Sequence, residues 1–299
     1  MSKTSNRITV VTALFLPVLA LSQNSQPMNF LIVKPGDPGA VSDLATGYLE
    51  TIANYFTTHT PCFQGKNLHG WIANHPDSAV LLMKTRPYVM AYVPVGFYLK
   101  YLHSPNRPAT PIAQAPRFGK NAERYYVVTT KSAPASTEAL KRKIVITNFG
   151  ADWDYLRRVV FPDNFQPGVD FELRESQNLA DDLFLLIEST GKNPVQNAPA
   201  ALLLDEELKH FFEADDLAWP QLKIIWTSAA LPRDVFVLIG DNWTDTDKQG
   251  VLDSLLKMNH DPKGKEMLEL MQSNGFTKVD TALLSFAKEQ YFSKVKTAR

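Results

Sequence analysis

Leu222-Lys-Ile-Ile-Trp226 is a short run of strand formers, and after Thr227-Ser-Ala-Ala-Leu-Pro232 comes a second run, Asp234-Val-Phe-Val-Leu-Ile239. Two helices follow, parted by Asn259-His-Asp-Pro-Lys-Gly264, and Asn274-Gly-Phe276 closes the stretch. Apolar runs without strict alternation suit strands covered on both faces, as in a sheet lying between helix layers. Asp261 has the side chain of an N-cap, and Pro262 suits the first helical position, where an N–H has no partner to lose.

The same grammar extends toward the N-terminus. Asn29-Phe-Leu-Ile-Val33 is a continuous apolar strand, and Pro35-Gly-Asp-Pro-Gly39 is the turn that ends it. Val41, Leu44, Tyr48, Ile52 and Tyr55 recur at spacings of three and four, which predicts a helix over Val41 to Phe56 with one apolar face. Ser78-Ala-Val-Leu-Leu-Met83 and Tyr88-Val-Met-Ala-Tyr-Val93 read as strands, with a helical segment from Phe97 to Leu102 after Pro94-Val-Gly96. His103 to Lys120 holds Pro105, Pro108, Pro111 and Pro116 and reads as a surface loop or edge crossing. Strand, Gly/Pro turn and amphipathic helix in succession are the opening of a parallel α/β unit.

The middle third repeats the pattern. Arg124 to Thr130 and Lys143-Ile-Val-Ile-Thr147 are strands; Asn148-Phe-Gly-Ala151 is a turn, and Asp152 to Val160 a short helix with an acid in its first turn. Phe171-Glu-Leu173 reads as a strand, Leu179, Leu183 and Ile187 mark a helix that stops at Gly191, and Ala200 to Leu204 is a strand ending at Asp205.

Leu231-Pro-Arg-Asp-Val-Phe-Val237, Asp261-Pro-Lys-Gly-Lys-Glu-Met-Leu268 and Asn274-Gly-Phe-Thr-Lys-Val-Asp280, in that order, resemble the C-terminal part of periplasmic solute-binding proteins of phosphate/phosphonate-type ABC importers. The resemblance implies an α/β fold of the type 2 periplasmic-binding class, with two lobes of mostly parallel sheets flanked by helices and joined by a two-strand hinge. It implies that residues 23–126 and 230–299 form lobe one and residues 127–229 lobe two, with crossings at Arg124 to Thr130 and Trp226 to Val237. It also implies a small-molecule ligand, an ABC importer permease or a sensor domain as partner, a monomer, and no cofactor.

In such folds the ligand lies where strand C-termini and helix N-termini converge. The turns that meet this description name the candidate ligand-binding residues: Lys34, Gly36 and Asp37; Pro94, Gly96 and Tyr98; Thr147, Asn148, Phe149, Asp152 and Trp153; Ser176; and Asp205. Phosphonate-binding relatives have a hydroxyl-rich turn where this chain has Asn148-Phe-Gly-Ala-Asp152. A carboxylate beside a bound dianion is repulsive, so Asp152 and Asp205 suit a neutral, zwitterionic or cationic ligand better.

The start of the chain has the pattern of a cleavable secretory signal. Lys3 and Arg7 precede the apolar run Ile8 to Leu21, and Ala20-Leu-Ser22 supplies small residues for cleavage, so residues 1–22 read as a signal peptide and the protein as periplasmic. Lysines plus arginines number 31 and acids 31; without Lys3 and Arg7 the basic count falls to 29, which argues against a nucleic-acid surface. Cys62 is the sole cysteine, so no intrachain disulfide forms, and its default role is that of a small buried hydrophobe. His59, His69, His75, His103, His210 and His260 show no tight metal-ligand spacing, and no nucleophile-elbow or phosphate-loop motif is present. The alternative to a binding protein is an exported enzyme, such as a hydrolase using Cys62 or an Asp/His pair, or the ligand-binding part of a sensory system.

Overall fold

The computed structural model describes residues 27–35, 43–104, 108–148, 152–189, 198–271 and 273–293. The expected signal peptide, Gly36, Asp37, Phe149 and the helix stop at Gly191 fall outside these residues.

The chain opens with strand β1 (Met28–Val33), helix α1 (Asp43–His59), β2 (Leu68–Ala73), α2 (Pro76–Thr85) and β3 (Tyr88–Val93). Helix α3 (Val95–Phe97) runs straight into a π-helical segment, Tyr98–Leu102, before β4 (Ala109–Gln114) and the two-residue β5 (Ala122–Glu123). The next section is β6 (Tyr126–Thr130), β7 (Ile144–Thr147), α4 (Trp153–Tyr155) with its own π-helical continuation Leu156–Val160, β8 (Glu172–Glu175), α5 (Leu179–Glu188), β9 (Ala201–Leu204) and α6 (Glu206–Glu213). The chain returns through β10 (Leu222–Thr227), β11 (Leu231–Pro232) and β12 (Val235–Ile239), and ends with α7 (Asp245–Lys257), α8 (Pro262–Leu270), β13 (Thr277–Lys278) and α9 (Thr281–Ser293).

Two mixed sheets result. One has the order β13-β4-β12-β3-β1-β2 and the other β10-β6-β9-β7-β8. In the first, β1 pairs in parallel with β2 and β3; in the second, β7 pairs in parallel with β8 and β9. Each lobe therefore winds out to one side of its central strand and back to the other. This leaves a switch point between β1 and β3 and another between β7 and β9, the places where α/β sheets open a crevice. The strands that carry the chain between sheets, β6 and β12, run antiparallel to their neighbours.

Period-two alternation decides what each sheet face covers. Phe30, Ile32, Met90, Tyr92, Phe236 and Leu238 turn toward α1, α7 and α8, meeting Ile52, Phe56, Leu255 and Met267. Tyr126, Val128, Ile146, Leu202 and Leu204 turn toward α5 and α6, meeting Leu183, Leu186 and Phe212. The opposite faces, with Leu31, Val33, Ala91 and Val93 from one sheet and Val127, Val145, Ala201 and Leu203 from the other, share one apolar cluster with Phe97, Tyr155, Leu156, Leu284 and Tyr291. Burial on both faces explains the uninterrupted apolar runs in the sequence, each large side chain contributing about 1.5–3 kcal/mol.

The lobes are joined at a short ribbon. Leu231 pairs with Glu123 and Pro232 with Ala122, and Ser228 clamps the same place: its N–H donates to Tyr125 O at 2.9 Å while its Oγ accepts from Tyr125 N at 3.0 Å.

Two local readings are corrected, and one strand went unread. Ser78 to Met83 lies in helix α2: Pro76 occupies the first turn, His75 Nδ1 accepts from Asp77 N at 3.2 Å, and Leu81 is left 63% exposed, unlike a residue of a doubly covered strand. The proline-rich segment contains β4, which the register break in β12 between Phe236 and Val237 accommodates next to Pro111. Leu68 to Ala73 forms β2 although its sequence lacks alternation, because it pairs along the whole length of β1.

Candidate functional site

Four strand ends face one another across the lobes: Val33-Lys34 after β1, Val93-Pro94 after β3, Thr147-Asn148 after β7 and Leu204-Asp205 after β9. They surround a cavity of about 400 Å³, within the range of roughly 300–1,000 Å³ common for small-molecule sites. Lobe-one strand ends contribute Lys34, Pro35, Pro94 and Gly96 to its wall; the second sheet and its helices contribute Asn148, Asp152, Tyr155, Asp205 and Glu207. Arg117, Glu123, Tyr125 and Asp234 line it from the side where the chain crosses between sheets.

Lys34, Pro94, Gly96, Asn148, Asp152 and Asp205 of the sequence-derived set thus border the cavity. Tyr98, Thr147, Trp153 and Ser176 do not. Tyr98 is buried in the shared core with its hydroxyl 3.3 Å from His103 Nδ1; Thr147 is a buried strand residue; Trp153 packs against the same core; and Ser176 Oγ donates to Asp182. Arg117, Glu123, Tyr125, Tyr155, Glu207 and Asp234 went unread. The signal was present in Glu123-Arg-Tyr125 and Arg233-Asp234, charged residues set beside buried strands at the crossings.

The helix N-termini that open on the cavity from the second sheet are already capped by the chain's own carboxylates. Asp152 Oδ1 accepts from Tyr155 N at 3.4 Å, and Asp205 Oδ1 from Leu208 N at 2.8 Å. Each satisfies N–H groups that an oxyanion would otherwise use. Asp152 also closes the lobes against each other, because its carboxylate lies so near the Cα of Gly96 that any Cβ there would overlap it. Beside this contact Lys100 Nζ meets Asp154 Oδ2 at 2.8 Å, an ion pair between the two π-wound helices.

Acid dominates the electrostatics. Arg117 is engaged by Glu207 and stands 4.0 Å from Asp234. Burial, then the charges of Asp234 and Asp205, pushes the Glu123 carboxyl up to about 8. Burial pushes Asp152 and Asp205 each up to about 6, the capping bonds and nearby cations offsetting only part of that. Tyr125 donates to Glu123 Oε1 at 3.2 Å. Two buried polar atoms on the wall, the Tyr155 hydroxyl and Asn148 Oδ1, have no hydrogen-bond partner among the described residues.

Other chemistry is poorly supported. Burial pushes the Cys62 thiol up to about 11, which leaves it protonated and a weak nucleophile at neutral pH. His59 lies 3.5 Å from Asp261 and His75 caps α2; among the described residues no three side chains gather as a metal site. Among the described residues, too, no helix is long and apolar enough to cross a membrane.

Residues 196–284 match the sequence model of a family described as ABC transporter, phosphonate, periplasmic substrate-binding protein. No curated protein matches the chain. Among solved structures, a Xanthomonas citri protein with chloride bound superposes with a TM-score of 0.66 at 12% identity, over 91% of this chain and 99% of that one. A binding-protein component of a Pseudomonas aeruginosa ABC phosphonate transporter gives 0.59 at 17% identity, over 91% and 93%. PhnD1 of Prochlorococcus marinus, solved with methylphosphonate, gives 0.60 at 13% identity, over 90% and 98%. The fold is that of the type 2 periplasmic-binding proteins, and the match over residues 196–284 is that of a phosphonate-type substrate-binding protein.

Proposed function

We propose that this chain, with its type 2 periplasmic-binding fold and phosphonate-family C-terminal third, is an exported solute-binding protein that captures a small molecule between its lobes and hands it to an ABC importer. One observation carries the reading: a cavity of about 400 Å³ bounded by strand ends of both sheets, at both switch points at once. A ligand held there touches both lobes and favours their closed arrangement by its differential contacts. In this reading residues 23–126 and 230–299 make lobe one and residues 127–229 lobe two, a division that the strand content of the two sheets supports, and the β5/β11 ribbon is the hinge.

Export rests on the pattern of residues 1–22, and the monomeric state on a cavity completed within one chain. Binding without turnover fits a high-pKa Cys62 and a wall with no nucleophile paired to a base. Native mass spectrometry of protein taken from its own periplasm tests the proposal. A co-purifying small molecule that raises the unfolding temperature and is recovered chemically unchanged is the expected result. Consumption of that molecule by the purified protein overturns it.

A further inference from the structure

We propose that the cavity takes a small organic cation bearing N–H groups, a protonated amine or a guanidinium, in place of the oxyanion suggested by family likeness. The proposal deepens the binding-protein reading and rests on it.

The wall holds five carboxylates, Glu123, Asp152, Asp205, Glu207 and Asp234, against two cations, Lys34 and Arg117. Arg117 is engaged by Glu207 and Asp234, so its charge is largely answered from within the protein. A third cation, Arg233, is 3% exposed and lies outside the cavity lining; its Nε donates to Lys120 O at 2.9 Å. With the Glu123 carboxyl pushed up to about 8 and so mostly protonated at neutral pH, four carboxylates, Asp152, Asp205, Glu207 and Asp234, remain against Lys34, Arg117 and the Arg233 behind the wall. An anion entering here would meet this excess, and at the two capped helices it would have to displace Asp152 and Asp205.

Acid alone does not make a site, and the second observation is the Tyr155 hydroxyl. Tyr155 is 3% exposed and lines the cavity, and its oxygen has no partner among the described residues. Burial and the neighbouring charges of Glu123, Asp152 and Asp234 hold it well above the ordinary phenol range, which places the group among those acids. Asn148 Oδ1, also without a partner, adds a neutral acceptor on the same wall. A buried acceptor without a donor is unfavourable, and N–H groups on a ligand cation would satisfy Asn148, Tyr155 and the carboxylates together. A quaternary ammonium would bring charge but no donors.

The discriminating experiment uses the unaltered mature protein. Calorimetric titration is run with putrescine, spermidine, agmatine and argininamide, with N,N′-diacetylputrescine and tetramethylammonium as controls, and with methylphosphonate and inorganic phosphate. The expected result is binding by at least one amine or guanidine, and weakening by about a hundredfold on acetylation or quaternisation, as a site built for donors rejects an analogue lacking them. Asp205→Asn should weaken the best binder about tenfold or more, as loss of a charged hydrogen-bond partner does, and Tyr155→Phe severalfold. If a variant misfolds, the acetylated and unacetylated pair on unaltered protein still decides. Tighter binding of methylphosphonate or phosphate than of every cation overturns the cation assignment and leaves the binding function standing, and so does silence from the whole cation panel alongside a different co-purifying ligand. Turnover of a bound amine instead overturns the binding-protein reading.

Discussion

The Asp152 carboxylate of one lobe lies against the Cα of Gly96 in the other, in a gap that admits no side chain. Gly96 is therefore kept small by what faces it. Gly96→Ala is expected to wedge the lobes apart, at the cost of about 1–3 kcal/mol usual for overpacking, and to weaken ligand binding about tenfold or more. Small-angle scattering should report a larger radius for the variant. Adding Asp152→Gly should restore compactness; a compact single variant with unchanged affinity would show that the contact does not gate closure.

The raised carboxyls make an opposite prediction from ordinary acid denaturation. Glu123 faces Asp234, Asp205 and Arg233; Asp205 faces Arg117, Asp234 and Arg233; Asp152 faces Lys100 and Asp154. Their folded values, about 8 for Glu123 and about 6 for the two aspartates, exceed the unfolded 4.5 and 3.8, so the folded state binds more protons between these limits. Stability from this source is complete below the unfolded values and is lost as pH rises through 6 to 8. The ligand-free protein should melt lower at pH 8 than at pH 5, by roughly 2–4 °C for each kcal/mol lost. A melting temperature that rises steadily over this window would contradict the assignment.

Cys62, half-buried against the core of the first sheet, should be inert. At pH 8 its thiol, pushed up to about 11, should react with an alkylating reagent far more slowly than a free cysteine, and Cys62→Ala should leave ligand affinity unchanged. Rapid labelling of the folded protein would refute this.

The C-terminal helix α9 ties the lobes together from behind. Arg158 stands over the Tyr291 ring with 5.0 Å to its centroid, and Tyr291, 4% exposed, belongs to the shared core. Tyr291→Ala should cost about 3–5 kcal/mol, as truncation of a buried aromatic does, read as a fall in the denaturant midpoint. Arg158→Ala, which removes a partly exposed partner, should cost about 1 kcal/mol or less.

What the chain declared in advance follows from how locally each feature is encoded. Doubly covered strands such as Phe30 to Val33 and Val235 to Ile239 are written as apolar runs, and the turns after them carry Lys34, Pro94, Gly96, Asn148 and Asp205 to the cavity. Helix α2 was misread because Val80, Leu81 and Leu82 suit either a strand or a helix, and the cap that decides between them is an unusual one, a histidine. β4 was hidden by Pro108, just before it, and by Pro111, whose accommodation depends on a break in the facing strand. Glu123 and Asp234 carry a local mark, charge set beside a buried strand, but that they share one site does not show there. They meet because two crossings more than a hundred residues apart lie side by side, a fact about pairing that no local pattern carries.

The core that runs unbroken from one sheet to the other gives the molecule a thermal character. Parting the lobes would wet apolar surface around Phe97 and Leu156, so opening carries a positive heat-capacity change and a driving force that varies with temperature. Apolar association weakens on cooling. Cooling should therefore loosen the contact that holds the lobes together, and the solute concentration needed to close them is expected to rise as the temperature falls.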